Sequence, residues 1–426
     1  MPSNITIKTT VPDYAPVYNK NEFCVTEVGF APSTKTNYTY VFDIVTETFG
    51  TIRTLVLPEP VMKFGIQDVG QILEGYVKEK IMQYNNTSAF VYAQEVPIIK
   101  YHMEYLSAWD VAGVFTVDPD AVGAVVGKDN YTWGASFNWH DWVSQMNSGS
   151  PFNTWLLNTT NGTAGEFLTS YKTPSVNITD LGWTCLLTDN APDVDYVEIK
   201  TYNAAGGLIQ TAQAANITTP TTTGAKMMSV ATSPQSLNNV GAALLAGSQP
   251  IIDSTTKTYT VQIFKTTGTV AISELLTFTI EECTPYEIFR VHFENYLGGF
   301  DSFNFRLRSK RSANNEKLKY NRAGNDVIST GLQYSQEDNG TLAYFVKSQD
   351  TIRLESDYLD TTQNQWLKEL IESPQVYLEF IDNGVANFKP LFVTNSAWTQ
   401  DSNELDKQFR LTLQVDLAHE NYRQRR

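Results

Sequence analysis

The chain has 426 residues, 42% hydrophobic and 18% charged, with a formal net charge of −15. That length sets an expectation of about three domains, each able to bury its own core. So acidic a chain lacks the cation excess with which nucleic-acid binders displace counterions, and no run approaches the roughly 18 apolar residues of a membrane span. Cys24, Cys185 and Cys283 lie far apart without a C-x-x-C, so the expectation is reduced, buried thiols rather than a disulfide framework or a zinc ribbon. The opening MPSNITIKTTVPDY has no basic stretch followed by an apolar one. A soluble protein made in a cytoplasm, with no signal peptide, is the expectation.

In chain order, Thr39–Val45 alternates Tyr40, Phe42 and Ile44 with Val41, Asp43 and Val45, the period of a half-buried strand. Ile66, Val69, Ile72, Leu73, Tyr76, Val77 and Ile81 recur at helical spacing and predict an amphipathic helix over 66–81. Val96–Leu106 returns to strand, with Ile99, Tyr101, Met103 and Tyr105 on one face. An aromatic run follows, Tyr131, Trp133, Phe137, Trp139 and Trp142, with Trp155 beyond it. These elements are expected to form a β-rich domain over residues 1–165.

Short strands at Gly182–Leu187, Tyr196–Tyr202, Tyr259–Phe264 and Leu275–Ile280, with Trp183 near Cys185, predict an immunoglobulin- or fibronectin-like β-sandwich over 166–285. Low complexity from Ala212 to Thr223 reads as a loop, and Ala231–Ala246 as holding one short helix. The third region, 286–426, opens on a predicted hairpin, Tyr286–Arg308. Phe289, Val291 and Phe293 give it one apolar face, Ile288, Arg290 and His292 a mixed one, and Gly298-Gly299 supplies the turn. Thr362 and Gln365 at capping-box spacing, a stripe of Trp366, Leu367, Leu370 and Ile371, and Pro374 beyond predict a helix over 362–373. Val376–Phe380 and Pro390–Thr394 flank a turn at Asp382-Asn383-Gly384, and Gln408–Leu417 alternates cleanly. The expected class is mainly β, with β-sandwich domains, two or three helices and more than one domain.

Signatures of chemistry are missing. The chain has no G-x-S-x-G, H-E-x-x-H, Walker loop or G-x-G-x-x-G. His102 and His292 fall within strands, His419 lies beside Glu420 near the end, and no pair of histidines has metal-ligand spacing. His140, in Asn138-Trp139-His140-Asp141-Trp142, belongs to a cluster expected to be buried core, the alternative being a stacking surface for sugar. The D-x-D pairs Asp118/Asp120 and Asp193/Asp195 have too few neighbouring oxygen ligands for calcium and read as turns. Glu281 and Glu282 point to opposite faces of a strand and cannot flank one substrate. The expectation is therefore no enzyme, no cofactor and no metal.

Charge is placed unevenly. Arg306, Arg308, Lys310, Arg311, Lys317, Lys319 and Arg322 face Glu316 alone in their stretch, a local +6 that leaves −21 on the remaining residues. A basic arm on an acidic body fits head-to-tail association of copies into a ring, and these seven residues are the candidate interaction site, with a solvated loop as the alternative. The terminal Asn421–Arg426 is a second small basic tail.

Several stretches taken together carry a resemblance: Pro12–Val17, Tyr38–Ile44, Phe64–Val77, Phe167–Thr173, Trp183–Leu187, Pro374–Leu378, Phe409–Leu417 and, the most specific, Asn295–Phe305 (NYLGGFDSFNF). The chain resembles virion proteins of tailed bacteriophages that infect Bacteroidetes, including the crAss-like phages. That resemblance implies a structural ring protein of the neck or tail barrel, a head-tail connector component stacked below the portal and surrounding the DNA conduit. It also implies assembly in the host cytoplasm with other neck and tail proteins as partners, and a homo-oligomeric ring of six or twelve copies is the expectation that goes with it. No membrane and no sequence-specific nucleic acid belong to this reading. An acidic lumen suits it, because a polyanion slides past without sticking. The alternative is a tail or surface adhesin that binds carbohydrate through Trp133, Trp139, Trp142 or Trp155.

Overall fold

The computed structural model describes residues 5–27, 35–78, 90–94, 97–118, 125–157, 164–189, 194–215, 226–244, 250–265, 270–281, 285–321, 326–333, 336, 340–382, 385–394, 398, 409–419 and 421–424. The protein is mainly β, 54% strand and 11% helix, with several sheets, and the described residues include four α-helices: α1 (Gly70–Leu73), α2 (Trp139–Met146), α3 (Pro234–Leu244) and α4 (Thr361–Glu372). The chain divides into two compact units, Met1–Glu282 with Glu294–Asp301, and Cys283–Phe293 with Ser302–Arg426.

The first unit begins with a six-stranded sheet. Tyr14–Pro16, Val125–Trp133, Ile98–Val111, Thr36–Thr46 and Gly50–Val56 lie side by side in that order, and Val114–Val117 turns back on Ile98–Val111. A three-stranded sheet, Ile5–Thr9, Glu22–Glu27 and Gly65–Asp68, shares its core. The period-two residues do what the alternation requires: Tyr40, Phe42, Tyr101, Met103 and Tyr105 are all buried with Phe23 and Leu73. The Phe42 and Tyr105 rings meet edge to face at 5.7 Å.

The predicted helix over 66–81 does not form as such. Gly65–Asp68 is a strand antiparallel to Glu22–Glu27, with Ile66 opposite Cys24. A carboxylate oxygen of Asp68 accepts from Asn21 N and Gly70 N, both at 3.0 Å, and so ends the strand and starts a turn. Only α1 and the turn reaching Val77 are helical, and residues 79–81 lie outside the described residues. Strand wins here because Gly65 lies against the Tyr40 ring, where even a Cβ would come within 2.5 Å.

Two further sheets complete this unit. One has the order Leu156–Leu157, Trp183–Thr188, Lys226–Ala231, Val91–Gln94, so it takes strands from both sides of residue 165. The other runs Ser175–Val176, Leu276–Ile280, Thr258–Lys265, Tyr196–Tyr202, Leu208–Ala215. Tyr259 in the second sheet donates its hydroxyl to the Thr232 carbonyl, just beyond the end of the first, at 2.7 Å. Most of the low-complexity stretch read as a loop, 216–223, lies outside the described residues; Ala212–Ala215 ends a strand.

The second unit is built on one antiparallel sheet. Its order is Phe300–Phe305, Phe289–Glu294, Val376–Asp382, Val385–Val393, Thr412–Leu417, Thr341–Glu355, Lys310–Asn321, with Asn421–Gln424 also paired to Thr341–Glu355. Helix α4 buries Trp366, Leu367 and Leu370, and the Trp366 ring packs on Phe293 and Phe303 at 5.6 and 6.0 Å. Its cap lies two residues before the predicted one: Gln363 N donates to Asp360 at 2.7 Å while the Gln363 side chain accepts from Asp360 N. The strand predicted from Gln408 starts at Thr412, since Phe409 makes only an isolated bridge to Leu359.

The predicted hairpin is present as Phe289–Glu294 and Phe300–Phe305, closed by Asn295 N to Gly299 O at 2.9 Å. Its tip belongs to the first unit. The mixed face is covered as well as the apolar one: Phe289 through Glu294 are all buried, in a strand that lies between Phe300–Phe305 and Val376–Asp382.

Candidate functional site

The seven cations predicted to form an arm part company. Arg306 is buried at the end of the hairpin, so it is no part of an exposed surface. Arg308 is exposed, and Arg322 lies outside the described residues. Lys310, Arg311, Lys317 and Lys319 stand on a strand rather than a loop: Lys310–Asn321 pairs antiparallel with Thr341–Glu355, from Lys310 opposite Arg353 to Asn321 opposite Thr341. Every residue of Lys310–Asn321 is exposed, and the strand is last in its sheet, so its outer row of backbone donors and acceptors has no strand against it among the described residues.

Arg311 donates to Glu287 at 2.7 Å and lies over the Phe289 ring at 5.0 Å, which fixes its guanidinium. Lys310, Lys317 and Lys319 have no ion pair among the described residues, so their charge is free to meet a partner. Leu318 between Lys317 and Lys319, and Tyr320 just beyond, are exposed, and the Tyr320 ring sits 6.1 Å from that of Tyr344 on the paired strand. Edge strands are ordinarily blunted by lysine. This one carries lysine and keeps an apolar row beside it. Behind it opens a cleft of about 960 Å³, lined among others by Asn315, Glu316, Lys347, Asp416 and Tyr422.

A second constellation escaped the sequence. In the second unit the His292 ring is fully buried; its Nδ1 meets the Ser302 hydroxyl at 2.7 Å and its Nε2 a Glu379 carboxylate oxygen at 2.8 Å. Arg290 Nε lies 3.4 Å from the same Glu379 oxygen, and Arg290 donates to Asn304 at 3.1 Å. With Ser302 donating to Nδ1, Nε2–H donates to the carboxylate, which fixes the tautomer. The connectivity is that of a hydroxyl–imidazole–carboxylate relay. Here it ties together three neighbouring strands, Phe300–Phe305, Phe289–Glu294 and Val376–Asp382, across the sheet. The signal was in the sequence: Arg290 and His292 two apart on one arm, Ser302 and Asn304 two apart on the other.

The indoles divide as well. Trp133 is fully buried and donates to Leu297 O at 3.0 Å, while Trp155 packs on Phe137 at 5.0 Å; these two are core. Trp139 is 67% exposed and stacks on half-buried Trp142 with ring centres 5.2 Å apart and planes 27° apart. The backbone there is α2, a helix that the aromatic run did not announce, capped by Asn138, which accepts from Asp141 N at 3.0 Å. His140 beside it is exposed.

Other candidates place less. Asp118 is buried and its partner Asp120 lies outside the described residues, as do Asp193, Glu282 and Cys283. Among the described residues no three His, Cys, Asp or Glu side chains gather closely enough to hold a metal ion, and no helix is long and apolar enough to cross a membrane. Cys185 is buried and its thiol is pushed up by burial, whereas Cys24 is only half-buried.

Neither a known protein family nor a curated protein matches this chain.

Proposed function

We propose that this protein is a non-enzymatic structural component of a tailed-phage virion, a ring protein of the neck or tail barrel that surrounds the DNA conduit. In this reading copies join head to tail, the Lys310–Asn321 edge of one against an acidic surface of the next, giving rings of six or twelve. The observation that supports it most is the edge strand itself: 12 residues, exposed along its whole length, with cations on a chain of net charge −15. A strand left open in this way is a template for another chain, and opposite charge selects which chain and in what orientation. The resemblance of Asn295–Phe305 and the other stretches to virion proteins supplies the setting.

The test is sedimentation velocity of the full chain and of the double variant K317E/K319E across a salt series. Both side chains are exposed, so folding is spared. Assembly of the unaltered chain that weakens with salt, and its loss in the variant, is the expected result. Equal assembly of both proteins at all salt concentrations would remove this edge from the contact.

A further inference from the structure

We propose that the Trp139–Trp142 pair at the start of α2 is a binding platform for a neutral saccharide, a function separate from ring formation. Trp142 is half-buried against the core cluster of Phe137, Phe152 and Leu156, so its indole is held by packing. Trp139 stacks on it at 5.2 Å, which fixes the outer indole and leaves its other face open to water. A rigid, open indole face is the partner that the C–H face of a pyranose ring needs, because the face of the π-system is electron-rich and C–H groups are weak donors.

The surroundings select the ligand class. Asn138, His140 and Asp141 are all exposed around Trp139. Asn138 donates to one Asp141 carboxylate oxygen at 2.6 Å, which orients the carboxylate and leaves the second oxygen free to accept from a sugar hydroxyl. A protein anchor of the hot-spot kind sits among apolar neighbours that exclude water, whereas this indole, stacked on Trp142 beneath, is flanked along the chain by exposed polar residues. The Asp141 charge disfavours uronic or sialic acids, so the ligand is an uncharged sugar.

The experiment titrates the full chain with cellohexaose, maltohexaose and mannohexaose, each to millimolar concentration, following tryptophan emission. At least one is expected to shift the emission saturably, with affinity falling ten-fold or more in Trp139→Ala and several-fold in Asp141→Asn. The thermal midpoint should not change in either variant, since both side chains are exposed. No saturable response to any of the three, or an unchanged affinity in Trp139→Ala, overturns the proposal. So does a change in assembly mass on Trp139→Ala, which would make the indole a subunit contact; the ring reading is judged separately, by the edge-strand variant.

Discussion

His292 is held by two different strands at once. Its imidazole takes the Ser302 hydroxyl on one side and the Glu379 carboxylate on the other, inside a sheet that leaves it no water. Removing the ring in His292→Ala leaves the Glu379 carboxylate, itself nearly buried, with Arg290 alone at 3.4 Å, and should cost about 3 kcal/mol. Ser302→Ala removes one hydrogen bond and should cost about 1 kcal/mol. Urea denaturation of the two variants decides this; equal, negligible losses would mean that the network holds nothing.

Glu274 offers a test of sign. Burial raises its carboxyl above the ordinary range, while Lys172 beside it and the Phe167 N–H bonded to it at 2.7 Å pull the other way without cancelling the effect. A carboxyl raised on folding favours the folded state most below its unfolded value and loses that contribution as pH rises through its folded one. From about pH 4 upward the chain should therefore lose stability relative to Glu274→Gln, whose profile should be flatter. Thermal melts of both proteins across that range measure it, and parallel profiles would refute it. Gly298 is stricter still: its φ is +82°, and a Cβ there would come within 2.5 Å of the Gly134 carbonyl oxygen, so Gly298→Ala should lower the melting temperature sharply.

Elements obey simpler rules. Asp360 and Gln363 cap α4 reciprocally, and Asp360→Ala should cost about 1 kcal/mol by chemical denaturation, whereas Thr362→Ala, at the cap first predicted, should cost little. Most strands were legible because apolar residues recur at every second position: Tyr101, Met103 and Tyr105, or Leu413 and Val415, show their period directly. The same period did not reveal the relay, since both faces of Phe289–Glu294 are covered and the partner that joins Arg290 and His292, Glu379, comes from a strand far along the chain. Helical spacing misled at Ile66 because three residues at i, i+3 and i+6 also fit a strand followed by a turn, and nothing local reveals that Gly65 must lie against Tyr40. The arm did not announce a strand because Lys310–Asn321 carries no sustained apolar alternation, only Leu318 and Tyr320 near its end. Its partner, Thr341–Glu355, lies across a sequence gap that no local pattern spans. Of the candidate site, four strand cations and the indole pair were visible in the sequence, and their geometry was not.

For the whole molecule the proposed contact joins charge to an open edge. An acidic chain repels its own copies unless a basic surface offsets the repulsion locally, and the Lys310–Asn321 edge is where the described residues offer one. A contact that repeats head to tail closes only when its rotation divides a full turn, so closed assemblies have one size rather than a spread of sizes. Mass measurement of the assembled chain by native mass spectrometry therefore bears most directly on the account. A single discrete species of six or twelve copies is the predicted result. A monomer that persists at high concentration and low salt would contradict it.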